Sequence, residues 1–365
     1  MIVDAWLPRA AAARPDHPAI NDITYAELLD RARRAPIEIE PGLSAEETAI
    51  RVHARLLRGG GEGETHDLDA TALVVTTSGT TSEPKEVALT YGNWLWSALG
   101  SAVALGHPPS ERWLCALPLT HVGGLSILVR SVIAGTTVLL HERWSTDAVL
   151  LGLDDATMVS LVPTTLQRLL DAGLREPPAL RWALLGGAPI PPPLLARAQE
   201  AGVPVAPTYG LTEACSQVTT NGVPLFCTKV DLAEDGEILV QGPTVAGGGT
   251  LHTGDLGRWQ DGRLEIVGRK SDTIITGGEN VAPAEVEAIL EEHPAVREAA
   301  VHARPDPEWG EAVVATVVLE SEATPQELQQ HVAVRLAPFK VPKEVALRTQ
   351  PLPRTASGKL LRREL

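Results

Sequence analysis

Between residues 72 and 210, short apolar runs rich in β-branched residues alternate with stretches of helical spacing. The runs fall at 73–77, 113–117, 136–140, 157–162 and 182–185, and the helical stretches at 92–105, 123–134, 164–172 and 191–201. Such alternation predicts a largely parallel sheet with helices on both faces. Ligands of such sheets bind beyond the carboxyl ends of the strands. Three unusual stretches are expected there. Ser78-Gly79-Thr80-Thr81-Ser82-Glu83-Pro84-Lys85 follows the run ending at Thr77, and Gly186-Gly187-Ala188-Pro189 follows the run ending at Leu185. Tyr209-Gly210-Leu211-Thr212-Glu213 follows the short run from Val203 to Ala206.

The flanks read differently. Residues 1–70 are rich in Ala, Arg and Glu, with short helices predicted at 25–34 and 44–58. Ser44 and Glu47 have the spacing of a capping box. After residue 220, short strands at 236–241, 249–255 and 263–267 predict a small β-subdomain. A separate module begins near residue 271. It has a Gly277-Gly278 hairpin, a helix at 283–292, strands at 297–303 and 311–319, and a last strand at 344–348. A second helix opens at Thr324-Pro325-Gln326-Glu327, with N-cap, N1 proline and capping-box glutamate in order. The expected class is α/β. A large N-terminal domain, 1–270, carries mostly parallel sheets flanked by helices plus the β-subdomain. A small mobile α+β domain, 271–365, follows.

Composition enters by exclusion. A net charge of −15 argues against an extended nucleic-acid surface. Cys115, Cys215 and Cys227 form no C-x-x-C and cannot all pair, which fits a cytoplasmic protein. The most apolar region, 123–140, is interrupted by Arg130 and Gly135, so no transmembrane segment is expected. Oligomeric state is left open, a homodimer included.

The chemistry lies in the polar motifs. Phosphate oxygens only accept hydrogen bonds, so Thr77, Ser78, Thr80, Thr81 and the backbone at Gly79 suit a polyphosphate, with Lys85 as a point charge. The stretch is not a Walker loop, because no G-x-x-x-x-G-K-[ST] occurs. Ser82-Glu83-Pro84-Lys85 fits S-x-x-K, but the S-D-N and K-T-G partners of serine β-lactamases are missing. Gly186, Gly187 and Ala188 offer bare backbone to a flat ring. Tyr209 beside Gly210 can stack on a base, and Thr212 has a hydroxyl for a phosphate. Glu213 is a hard oxygen ligand for Mg²⁺, and Thr80 is the second candidate metal ligand. Asp255 and Arg269 can together hold two sugar hydroxyls.

These motifs, in this order, resemble the AMP-forming acyl- and aryl-CoA synthetases, the adenylate-forming family. The resemblance covers residues 72–361. Ser82 and Glu86 stand where that family usually has glycine. The resemblance implies ATP, Mg²⁺ and coenzyme A as co-substrates and cofactor, with Asp255 and Arg269 on the ribose. It implies a hinge at Ser271, a CoA-tunnel hairpin at Gly277 and Gly278, and a catalytic lysine at Lys359 in Pro353-Arg354-Thr355-Ala356-Ser357-Gly358-Lys359.

Two further stretches narrow the acid. Leu117-Pro118-Leu119-Thr120-His121-Val122-Gly123-Gly124 leads into Arg130-Ser131-Val132-Ile133, and Glu213 into Ala214-Cys215-Ser216-Gln217. Together these look like the o-succinylbenzoate–CoA ligases of menaquinone biosynthesis. The resemblance implies o-succinylbenzoate as the small-molecule partner. His121, Arg130 and Ser216 are then candidate contacts to the acid. His121 is alternatively a gate, and Arg130 a buried ion-pair partner. A benzoate- or coumarate-type ligase, and a non-catalytic nucleotide-binding protein on the same fold, are the competing readings.

Overall fold

The structure is a computed structural model and describes residues 1–59, 65–77, 85–354 and 360–365. The chain forms two compact units. One comprises residues 1–187, 198–231 and 239–251, the other residues 188–197, 232–238 and 252–365.

The first unit is built on a nine-stranded sheet. Its middle runs Val205–Leu211, Trp182–Leu185, Met158–Leu161, Arg112–Cys115, Thr137–Leu140 and Pro18–Ile20, all parallel neighbours. Antiparallel strands Ser216–Thr220, Val223–Pro224 and Ile23–Thr24 close the edges. The inner strands Met158–Leu161 and Thr137–Leu140 are apolar nearly throughout, as strands covered on both faces must be. The helix Val122–Ala134 ends at Gly135, whose left-handed backbone (φ 72°) is one that glycine adopts without strain.

Two expectations change. Thr71–Thr77 is a strand, but it lies outside the parallel sheet and pairs antiparallel with Lys85–Thr90. The second strand of that hairpin was hidden behind Pro84 and the charged pair Lys85-Glu86, although Val87 and Leu89 alternate inward. The strand expected to end at Ala206 runs on from Val205 to Leu211, so Tyr209 and Gly210 sit within it.

Residues 1–59 belong to the same core. The helix Trp6–Ala13, which the Ala-rich sequence did not announce, contributes Trp6 and Leu7. The buried Tyr25 hydroxyl bonds the carbonyls of Ser131 (3.0 Å) and Thr136 (2.7 Å). Ser44 caps Ala45–Arg58 by accepting from the Glu47 N–H at 3.1 Å, but the reciprocal half of the capping box is not made. Glu47 instead meets Arg51, four residues on, at 3.0 Å.

Two buried histidines give this unit a pH dependence. His53 Nδ1 donates to the Ala49 carbonyl at 2.7 Å, and His66 Nε2 accepts from the Trp6 N–H at 3.2 Å. The His66 ring stacks on Tyr91 with centroids 4.2 Å apart. Burial holds both well below the usual imidazole range, at about 4. Between about pH 6.5 and 4 the unfolded chain therefore binds protons that the folded one does not, and stability falls as pH falls. Each histidine should cost about 2 kcal/mol at pH 5 relative to pH 7. Urea unfolding at both pH values checks this, and His66→Phe should reduce the loss of stability between pH 7 and pH 5 by about 2 kcal/mol. Equal pH dependence in wild type and variant would refute it.

In the second unit, Ile274–Thr276, Glu279–Val281, Gly310–Leu319, Val296–Asp306 and Glu344–Arg348 form a five-stranded sheet. The helix Pro283–Glu291 turns Val286 and Leu290 onto its core, and Pro325–Ala333 adds Leu328 and Val332. The capping box at Thr324 forms as expected. Thr250–Gln260 and Arg263–Arg269 pair antiparallel, with Asp255 opposite Arg269.

Candidate active site

The strands on either side of the hydroxyl-rich stretch pair with each other. Thr77 and Lys85 are cross-strand partners, and the Thr77 hydroxyl donates to the Lys85 carbonyl at 3.2 Å. Ser78, Gly79, Thr80 and Thr81 lie outside the described residues. Lys85 Nζ, largely exposed, approaches Glu213 Oε1 at 3.9 Å. The structure thus brings together the base of one motif and the carboxylate of another, 128 residues on (213 − 85).

Glu213 owes its place to a tight turn. Gly210 packs so closely on the next strand that a Cβ there would lie 1.7 Å from the Ser216 carbonyl oxygen. A bulge at Tyr209/Gly210 reorients the strand end, and Thr212–Ala214 form one 3₁₀ turn. Cys215 and Ser216 then take left-handed backbones (φ 53° and 86°), a costly arrangement without glycine and one that gathers at functional sites. The turn is braced from within. The Ala246 N–H donates to the Glu213 carbonyl at 2.8 Å, and Ser97 Oγ to the Cys215 carbonyl at 2.7 Å. Gly186 lies against the same strand, where a Cβ would meet Thr208 at 2.7 Å. Gly187 and Ala188 follow directly.

Arg130 stands below this turn. It is 6% exposed, its Nη2 reaches Ser97 Oγ at 3.4 Å, and its guanidinium lies 5.6 Å from the Trp113 ring centroid. Among the described residues its Nε has no hydrogen-bond partner, and burial pulls its pKa down to about 10. No carboxylate pairs with it among the described residues. His121 is different: it is the exposed residue that precedes the helix Val122–Ala134. Gly124, in the first turn, packs where a Cβ would meet the Pro118 carbonyl oxygen at 2.4 Å.

In the second unit, Arg269 Nε donates to Asp255 Oδ1 at 2.8 Å. Asp255 is buried and Arg269 half exposed, so the pair is unlike an ordinary surface ion pair. Thr253 Oγ1 accepts from the Asp255 N–H at 3.1 Å and fixes the strand at that point. Sequence reasoning missed the neighbours. Glu237 accepts from the Gly254 N–H at 3.0 Å and from Lys270 Nζ at 3.2 Å, and Lys270 also meets Asp235 at 2.5 Å. Contacts of this kind leave no motif.

Ser271 lies in the 3₁₀ turn Lys270–Asp272, its hydroxyl donating to Asp272 Oδ1 at 3.0 Å. Gly277 and Gly278 (φ 59° and 84°) form the expected two-residue hairpin turn. Gly277 is pressed against Trp309, which a Cβ would approach to 2.7 Å, and Lys343 Nζ lies 4.5 Å from that ring's centroid. Lys359 lies outside the described residues.

A parallel-sheet unit that sets a lysine beside a turn-held glutamate, with an α+β unit after it, is the architecture of adenylate-forming enzymes. The profile of the AMP-binding enzyme family matches residues 38–248, and that of the AMP-binding enzyme C-terminal domain matches residues 285–359. The chain belongs to this family. It is 43% identical over 336 residues to the 2-succinylbenzoate–CoA ligase of Bacillus subtilis, across 82% of this chain and 69% of that protein. It is 39% identical over 332 residues to the ligase of the same name from Listeria monocytogenes, across 83% and 71% of the two chains. The solved structure of o-succinylbenzoate CoA synthetase from Bacillus subtilis, in complex with its acyl-adenylate intermediate, superimposes with a TM-score of 0.88 at 34% identity. That match covers 100% of this chain and 98% of the other.

Proposed function

We propose that the protein is an o-succinylbenzoate–CoA ligase, acting in menaquinone biosynthesis. It joins the acid to coenzyme A in two steps. A carboxylate oxygen attacks the α-phosphorus of ATP and pyrophosphate leaves. The sulfur of CoA then attacks the acyl carbon, and AMP leaves. No cysteine of the chain is needed as a nucleophile, since the thiol belongs to CoA.

The observation that carries this reading is the approach of Lys85 to Glu213 at the base of the hydroxyl-rich loop. A cation and a hard carboxylate together suit a nucleotide polyphosphate and its Mg²⁺. Mg²⁺ is commonly held by one or two carboxylates and the substrate's own phosphates. Glu213, with Thr80, is the donor set this chain offers. A related synthetase from Bacillus subtilis, 32% identical, is solved with ATP and a magnesium ion. When bound, the metal offsets phosphate charge. Lys85 and the 78–81 hydroxyls orient the phosphates, Gly186–Ala188 and Tyr209 hold the adenine, and Asp255 with Arg269 holds the ribose.

Residues 1–270 act as the adenylating domain. Residues 271–365 turn about Ser271 to present the Gly277-Gly278 hairpin to CoA. The acid is assigned from the relatives, and His121 and Ser216 are its proposed contacts. The three free cysteines fit a cytoplasmic enzyme, and among the described residues no helix is long and apolar enough to cross a membrane. A homodimer is the assembly to test by light scattering.

Pyrophosphate exchange with a panel of acids tests the reading. Exchange with o-succinylbenzoate, and little with benzoate, coumarate or a fatty acid, is the expected result. Equal exchange with benzoate would replace the acid, and no exchange with any acid would favour a non-catalytic nucleotide binder.

A further inference from the structure

We propose that Arg362 is a positioning residue for adenylation: it fixes the stem of the segment that carries Lys359. The inference rests on the reading of Lys359 as the lysine of the first half-reaction. On either side of residues 355–359 the chain is pinned. Arg354 and Leu360 form an antiparallel bridge, and the Leu361 N–H donates to the Pro353 carbonyl at 2.9 Å. Leu360 and Leu365 pack on Ala300, Val318 and Leu352.

Arg362 supplies the polar half of this anchor. Its Nη2 donates to both carboxylate oxygens of Glu287, at 2.7 and 2.8 Å. Its Nε donates to the Val301 carbonyl at 3.1 Å, and its Nη1 to Asp272 Oδ2 at 3.3 Å. Glu287 is itself buried and accepts from the Val301 N–H at 2.7 Å. All three guanidinium nitrogens are thus engaged, in a planar geometry that lysine cannot reproduce.

Lys359 is three residues before this anchor in the sequence. A lysine acts at one point only if the chain that carries it is held. A purely structural ion pair would not distinguish the two half-reactions. A positioning role for Lys359 would, because only the first needs that lysine.

The test measures both half-reactions in the full-length enzyme: pyrophosphate release from acid and ATP, and thioester formation from supplied acyl-adenylate and CoA. Arg362→Met should lower the first about 10- to 100-fold through kcat. The second, and KM for ATP, should stay within about two-fold of wild type. Arg362→Lys keeps a cation beside Glu287, so it guards against a failure to fold, and it should recover only part of the loss. Arg362→Met combined with Lys359→Ala should be no slower than Lys359→Ala alone. Loss in Lys359→Ala beside a wild-type rate in a folded Arg362→Lys overturns this proposal alone, as does an equal fall in both half-reactions. A wild-type adenylation rate in Lys359→Ala overturns the lysine assignment and this proposal with it.

Discussion

Lys359→Ala should all but abolish adenylate formation while leaving thioester formation from supplied acyl-adenylate within a few-fold of wild type. Negative charge is concentrated as one anion, the carboxylate, attacks the phosphate of another. A cation that reaches both oxygens lowers that barrier, and removing one such group costs about 10²–10³ in rate. The second half-reaction differs. A thiol attacks an acyl carbon and AMP departs, and in the proposed cycle residues 271–365 have by then turned away with Lys359. Pyrophosphate release under single-turnover conditions reads the first step, and CoA-thioester formation from synthetic acyl-adenylate reads the second. Equal loss in both would remove the assignment. The C-terminal family match, residues 285–359, ends on this lysine, and the chain on either side of its segment is paired, so the substitution is not expected to unfold the domain.

Much of the fold was legible because the interior of a parallel sheet writes itself as unbroken apolar runs. Trp182–Leu185 and Met158–Leu161 needed no more than that. The C-terminal helices were legible through their first turns, where proline and a capping glutamate follow Thr324. Long-range pairing was not. Nothing local in Thr71–Thr77 distinguishes a strand inside the parallel sheet from one that pairs antiparallel with Lys85–Thr90. Motif residues could be proposed from the sequence because their chemistry is in their type and order. Their supports were not: Ser97 under Cys215, Glu237 behind Gly254 and Arg362 against Glu287 are ordinary polar residues until the fold joins them. Gly210 shows the limit most clearly. Its lack of a side chain is forced by the Ser216 carbonyl, a contact that no spacing rule contains.

Deleting the aryl carboxylate from the substrate should cost far more than shortening an alkyl chain, and His121 should account for part of the difference. A pocket built to pair a polar group is left with buried, unsatisfied donors when that group is missing, and such discrimination can reach about 10⁴. The comparison is o-succinylbenzoate against 3-benzoylpropionate, the same keto acid without its aryl carboxylate. The structure sharpens the choice of donor. His121 and Arg130 are nine residues apart along one helix and its N-terminal flank, roughly 13.5 Å of rise at 1.5 Å per residue, and they differ in burial, His121 being exposed and Arg130 buried. Arg130 is buried and spends its reach on Ser97, under the turn that carries Glu213. His121 is exposed ahead of the first helical turn, where free N–H groups also favour an anion. His121→Ala should therefore lower kcat/KM with o-succinylbenzoate by about 10-fold or more while changing it little with 3-benzoylpropionate. Arg130→Ala should instead lower stability and slow both acids alike, since it removes the partner behind Ser97, which braces the Cys215-Ser216 turn. Both acids on all three proteins give the answer. Equal loss on the two acids in His121→Ala would make that histidine a gate. A selective loss in Arg130→Ala would move the carboxylate toward the buried part of this helix, beside the guanidinium Nε that has no partner among the described residues.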